Sequence, residues 1–312
     1  MPKLPPALQS AWPVFKRGHR LATQSVGAVT RHTTALAGDR AVPHRATDRA
    51  EDTAALESDR VRFHLGGPAE HLDRPIPTGH PEGHWVFPRW ARFDIARRYT
   101  LDIDDGLIVG DYAAHITPGG TLDYETSTYF GIRGWAEHPV YLRARLPEAE
   151  HVSGSLLSMA TRGSSANYYH FLMDALPRWG VLEETMPGTV PDALFVNTGS
   201  RYQRELLTLA GLDHLPTVAP GSNTALRADR LIAPCIPNPE LMAPTWTTGW
   251  LKERLPSRET AGKPRRLYLT RGDAKNTRRV VDEDEVMRQL EPAGFVRLDP
   301  GTLSVQEQID HF

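Results

Sequence analysis

The sequence predicts an α/β protein with a β-rich region ahead of the α/β part, and three observations carry this. From about residue 153, short apolar runs alternate with stretches of helical periodicity, the pattern of βαβ units around a parallel sheet. Residues 61–150 instead show strand-like alternation broken by Pro and Gly every few positions, which suits short strands and turns. The composition is that of a globular protein, 40% apolar and 24% charged over 312 residues. A chain of that length buries a sizeable core without staples and fits roughly two domains.

The first fifty residues set eight basic side chains against two acids, Asp39 and Asp48, and contain few large apolar groups. Residues 1–60 are therefore expected to be a loosely ordered basic segment, able to rest on an anionic membrane surface. They lack the apolar core of a secretory signal. In the β-rich region 61–150, Phe93, Ile95, Leu101 and Ile103 alternate with polar neighbours. Asp105-Gly106 then falls between apolar runs, which predicts a hairpin turn.

A first α/β lobe is expected over 151–258. Its strands are Ser155–Leu157, Ala193–Asn197 and Arg230–Ala233; its helices are Tyr168–Glu184, Tyr202–Ala210 and Thr247–Leu255. The polar stretch Pro256–Lys263 reads as a linker. Residues 264–312 then give strand Arg266–Thr270, helix Glu283–Leu290, strand Phe295–Leu298 and a helix from Val305. Two strands are too few for a complete doubly wound domain, so this second lobe reads as incomplete.

Charge and cysteine content exclude several classes. A net charge of −2 argues against a nucleic-acid binder. The single cysteine, Cys235, cannot form an internal disulfide, which points to a reducing, cytoplasmic setting. No run of 18 apolar residues is present to span a bilayer.

Two stretches carry candidate chemistry. In Asn167–Trp179, which Ser164, Ser165 or Asn167 can cap, a helix has one apolar face and a polar stripe of Asn167, His170, Asp174 and Arg178 at spacings of three and four. A carboxylate one turn from an imidazole orients it for general-base work. An exposed helix with weak surface pairs is the competing reading, and Pro177 is expected to kink or end the helix. In the second stretch, strand Arg266–Thr270 leads into a loop with Arg271, Lys275, Arg278 and Arg279, ahead of an acid-rich helix start. Cations at the carboxyl end of a strand suit a diphosphate without metal; a solvated charged loop is the alternative. Asp102-Ile103-Asp104 has the Asp-x-Asp spacing of a metal-diphosphate site, but the adjoining Asp-Gly turn explains it better, and no metal is expected.

Together, and in this order, the two stretches resemble glycosyltransferase family 61. The upstream match is Asn167-Tyr168-Tyr169-His170-Phe171, Asp174 and Leu176-Pro177-Arg178; the downstream match is Tyr268-x-x-Arg271, Arg278-Arg279-Val280 and Asp282-Glu283-Asp284-Glu285. Phe171 stands where the family usually has Trp, and Asp282 where Asn is usual. The resemblance implies the B-type glycosyltransferase fold of two Rossmann-like lobes and an inverting transfer from a nucleotide sugar to a glycan or glycoconjugate hydroxyl, as in surface polysaccharide synthesis. It implies His170 as base with Asp174 orienting it. Asn167, Arg178, Arg271, Lys275, Arg278 and Arg279 would bind substrate, and Glu283 the ribose or the loop. The family continues into a Gly-x-His-Gly-Ala-Gly loop beyond Phe312, so the resemblance also reads the chain as C-terminally truncated, with an inactive, glycan- or partner-binding homologue as the alternative.

Overall fold

A computed structural model of the chain describes residues 12–32, 38–79, 82–237, 243–258, 262–272 and 280–312. Among them, nine strands form one mixed sheet in the order β1-β7-β6-β5-β11-β8-β9-β10, with β2 also on β5. The central strands are β5 (Tyr99–Val109), β11 (Ala225–Pro234) and β8 (Glu150–Ser158). On one side β8, β9 (Ala193–Phe195) and β10 (Thr217–Val218) continue parallel to β11. On the other, β5 runs antiparallel to β11. One edge of β5 takes β2 (Val61–Leu65) along residues 99–103 and β6 (Ala114–Ile116) along residues 107–109. Beyond β6 lie β7 (Thr121–Asp123) and β1 (Arg45–Thr47), while β3 (Glu70–Asp73) and β4 (Arg92–Ile95) pair antiparallel as a separate two-stranded sheet. The fold is thus α/β, with the β-rich region and the first α/β segment sharing one sheet rather than forming neighbouring lobes.

The hairpin expected at Asp105-Gly106 does not form, because β5 continues through it with only a local kink. Asp105 takes a left-handed conformation (φ 53°) within the strand, one that Asp tolerates better than most residues. A Cβ on Gly106 would lie 2.6 Å from the Leu231 Cβ, so glycine lets β11 approach. Arg227 donates to the Asp105 carbonyl and holds the kink. The Asp-x-Asp pair is engaged by arginines. The fully buried Asp102 carboxylate accepts from Arg230 Nε (2.8 Å) and Arg62 Nε (2.9 Å), and Arg62 also clasps Asp104.

Among its described residues, the N-terminal part is built rather than loose. Helix α1 (Trp12–His32) and helix α2 (Ala50–Leu56) are both present. On α1, Thr30 donates to the Tyr141 carbonyl and the Arg31 guanidinium sits 5.0 Å from the centroids of both Trp135 and Tyr141. Arg20 pairs with Glu137 at 3.2 Å. Cation–π and ion-pair contacts, which a tally of large apolar residues misses, offset the cost of ordering.

The chain divides into two compact units: residues 1–198 with 215–244, and residues 199–214 with 245–312. The division follows Pro244 rather than the 256–263 linker, and helix α6 (Arg201–Leu209) goes with the second unit; α3 (Val86–Ala91), α4 (Tyr168–His170) and α5 (Pro177–Thr185) belong to the first. The core of the first unit includes Leu107, Val109, Ile116, Leu122, Val140 and Tyr141. In the second unit, α7 (Thr245–Arg254), β12 (Leu267–Leu269), α8 (Glu283–Leu290), β13 (Val296–Leu298) and α9 (Val305–His311) come in that order. Strands β12 and β13 pair in parallel. Helices α6 and α9 both start on capping boxes, Ser200/Gln203 and Ser304/Glu307, and Glu205 accepts the Val305 N–H. Asp310 takes two guanidinium bonds and the backbone N–H of Arg258, which holds its carboxyl down to about 2.

Burial raises the Asp102 pKa, but Arg230 and Arg62 outweigh it, so the carboxyl ends below its ordinary value. A depressed carboxylate stabilises above its unfolded pKa, about 3.9, and loses that contribution as pH falls toward the folded value. Asp102→Asn is expected to lower unfolding free energy by about 1–3 kcal/mol at pH 7. It should also make the urea midpoint less sensitive to acid below about pH 4. An unchanged midpoint at pH 7 would show that the ion cluster adds nothing to stability.

Candidate active site

In the parallel half of the sheet the carboxyl ends of β8, β9 and β11 fall on one edge, the usual place for ligands in such sheets. Strand β8 leaves the sheet there with Met159 and Ala160 both donating to the Phe195 carbonyl. A tight turn comes next: Ser164 Oγ accepts from Thr161 N–H and donates to Asn197 Oδ1 at 2.8 Å. The next helix starts at Asn167, whose extended backbone (φ −124°) and side chain accepting from Tyr169 N–H make it a cap.

The α-helical part is a single turn, the short α4. Residues Phe171–Ala175 form a π-turn, closed by Leu176 N–H to the Phe171 carbonyl at 2.9 Å. Pro177, which has no N–H to continue the ladder, opens α5. The expected continuous helix is therefore broken where Pro177 predicts.

The break decides which residues come together. His170 and Asp174 meet: Nδ1 lies 2.6 Å from Oδ2. The Asp174 side chain is 9% exposed and that of His170 27%. A carboxylate only accepts, so Nδ1 carries the hydrogen and the Nε2 lone pair is left to take a proton. The imidazole packs on Gly163, where a Cβ would come within 2.6 Å of His170 Cγ, and Tyr169 meets the ring edge-on.

Arg178 does not join them. A π-turn inserts an extra residue into the helical register, which rotates every later side chain by about 100°. Arg178 therefore leaves the expected polar stripe and points inward, 1% exposed. It donates to the carbonyls of Ser158 (3.1 Å), Ala160 (3.3 Å) and Thr126 (3.4 Å). In this structure its donors engage the chain's own loop. Burial lowers its pKa to about 10, so it stays charged at neutral pH.

Beneath it runs a buried polar chain with no signature in the sequence, because its members are scattered singly through strands and turns. Ser158 Oγ, within 3.4 Å of Arg178, faces His115 Nε2 at 2.7 Å, and His115 Nδ1 faces Thr126 Oγ1 at 2.9 Å. Thr126 donates to Asp123, which also accepts from Thr53. Burial drives His115 well below its ordinary pKa and takes His138 down to about 4.

The downstream residues belong to the second unit. Arg271 is exposed after β12, and Glu283 opens α8 behind Asp282, which is in the left-handed conformation (φ 54°). Tyr268 is pushed above its ordinary pKa, first by desolvation and then by Glu283. Lys275, Arg278 and Arg279 lie outside the described residues. Among the described residues no three His, Cys, Asp or Glu side chains converge as a metal site. Cys235 is buried and its thiol is pushed up to about 11, as a structural cysteine should be.

Two predictions test this arrangement. Arg178→Ala is expected to destabilise by about 3 kcal/mol or more, because three carbonyls lose a charged donor. Equal stability of that variant would refute a structural role. His115 and His138 are neutral when folded and protonate freely when unfolded, so their contribution is full above about pH 6.5 and falls as pH drops. Each adds a slope of up to about 1.4 kcal/mol per pH unit. His115→Asn should remove its share of that slope in urea titrations between pH 7 and pH 5.

A family model, Glycosyltransferase 61, matches residues 168–312. No curated protein matches the chain. The match begins beside the Asn167 cap and takes in His170, Asp174, Arg178, Arg271 and Glu283. Over this segment the chain is similar to glycosyltransferase family 61.

Proposed function

We propose that the protein is an inverting glycosyltransferase that moves a sugar from a nucleotide sugar to a hydroxyl of a glycan or glycoconjugate in surface polysaccharide synthesis. The observation that carries this reading is the 2.6 Å His170–Asp174 contact, at the carboxyl end of β8 and inside the family-61 segment. Inversion takes one displacement. The acceptor O–H proton passes to His170 Nε2 as the acceptor oxygen attacks the anomeric carbon, and the bond to the diphosphate breaks with its electron pair on the leaving group. Asp174 fixes the ring and stabilises the imidazolium that forms. Asn167 uses Oδ1 in capping, which leaves its NH2 group for the acceptor.

In the second unit, Arg271, Lys275, Arg278 and Arg279 carry the charge of the departing diphosphate, and Glu283 binds the ribose or supports the loop. No metal has a part in this scheme. The two units are the Rossmann-like lobes of a B-type fold in this reading. The reduced Cys235 suits a cytoplasmic site at the inner face of the membrane.

The test is release of nucleoside diphosphate from a panel of UDP- and GDP-sugars with glycan acceptors. His170→Ala is expected to lower turnover by about 10²–10⁴-fold with melting temperature unchanged. Asp174→Asn should fall between that and wild type, and EDTA should leave the rate unaltered. Full turnover by His170→Ala would overturn the base assignment. Thermal stabilisation by a glycan, with none from UDP or GDP and no turnover, would favour a non-catalytic binding protein.

A further inference from the structure

Helix α1 is held to its unit along one face. Thr23 and Gly27 are buried, and Arg20, Thr30 and Arg31 make the ion-pair, hydrogen-bond and cation–π contacts described above. At 100° per residue these positions cluster on one face. The opposite face carries Leu21, Ala22, Ser25, Val26 and Val29, all exposed, with no charge among them. Leu21 is 58% exposed and Val29 63%, large values for branched aliphatic side chains. Spacing of four, three and seven along Ala22, Val26 and Val29 makes an apolar stripe, with the Ser25 hydroxyl and the exposed His32 on the same face.

Charge lies beside the stripe, not within it. Arg17, Arg20 and Arg133 converge with Gln24 on an open cleft whose remaining wall is Leu21. Arg17 and Arg133 are exposed, while the Arg20 guanidinium is the one paired with an acid, Glu137, among the described residues. The cleft is therefore electropositive, and it borders the apolar stripe along the same helix. This is the layout of an interfacial helix: aliphatic groups enter the acyl boundary while guanidiniums meet lipid phosphates at its rim. A helix lying in the interface also agrees with the lack, among the described residues, of any helix long and apolar enough to cross a membrane.

We infer that α1 docks this protein onto an anionic bilayer, with Leu21, Val26 and Val29 in the interface and the Arg17–Arg20–Arg133 cleft on phosphate headgroups. The inference is independent of the transfer reading, and either can fail alone. The contact gathers acceptors and donors at a surface without embedding the fold.

The experiment is flotation of the full chain with vesicles of phosphatidylcholine alone and of phosphatidylcholine mixed with phosphatidylglycerol, at low and at physiological salt. The chain should float with the anionic vesicles only, and less so as salt rises. Leu21→Glu/Val29→Glu should abolish flotation. Arg17→Glu/Arg133→Glu should weaken it by about tenfold or more. Both pairs are exposed, and an unchanged melting temperature separates lost docking from lost folding. Failure of the wild-type chain to float overturns the inference. So does equal flotation on neutral vesicles, or full retention by Leu21→Glu/Val29→Glu. A dimer in solution that Val29→Glu dissolves, with no vesicle binding, also overturns it and gives the stripe to a second copy of the chain.

Discussion

The guanidinium of Arg178 is charged, buried and bonded to neutral carbonyls, a combination that forces its surroundings into one arrangement. A buried donor left without its acceptor costs more than the bond itself contributes. Ser158 and Ala160 must therefore present their carbonyls inward at the end of β8, and Thr126 must do the same from the turn after β7. That pins the start of the loop which carries Gly163 and ends at the Asn167 cap. The position of the His170 ring, resting on Gly163 and tied to Asp174, depends on a cation that never reaches solvent.

The chain from Arg178 through Ser158, His115 and Thr126 to Asp123 has a direction. Thr126 donates its hydrogen to Asp123, so it must accept from His115 Nδ1, and His115 Nε2 must then accept from Ser158. Every donor points from the buried cation toward the buried carboxylate. Neutral His115 is what keeps that order, since a protonated ring would offer two donors and leave Ser158 reversed. Burial holds it neutral.

Local signals are the legible ones. Helix Glu283–Leu290 is readable to the residue, and Asn167 as one of three candidate caps with Ser164 and Ser165, because acid-rich first turns and capping side chains act within one turn of chain. His170 and Asp174 are readable as a pair because four residues is a helical neighbour distance. Arg178 is misplaced by helical spacing because nothing in a string of letters marks a π-turn, and its one-residue offset turns a surface position into a core one. Asp105-Gly106 looks like a hairpin because the partner that keeps β5 extended, β11, lies far along the chain. Helix α1 is undervalued by composition because its attachment uses arginine on aromatic rings and a threonine hydroxyl.

The length of the β5–β11 connection also has a consequence during synthesis. Arg227 reaches the Asp105 carbonyl across 122 residues of chain. When β5 leaves the ribosome, β2 is already available to one part of one edge, while its whole opposite edge has no partner. That edge stays open until β11 emerges, together with the apolar Leu101, Ile103, Leu107 and Val109, all buried in the finished fold. Non-local pairing of this kind folds late and leaves strand edges open to other chains. Recombinant yield will therefore depend on what shields β5 during that interval, chaperone supply and translation speed among them, more than on the stability of the completed sheet.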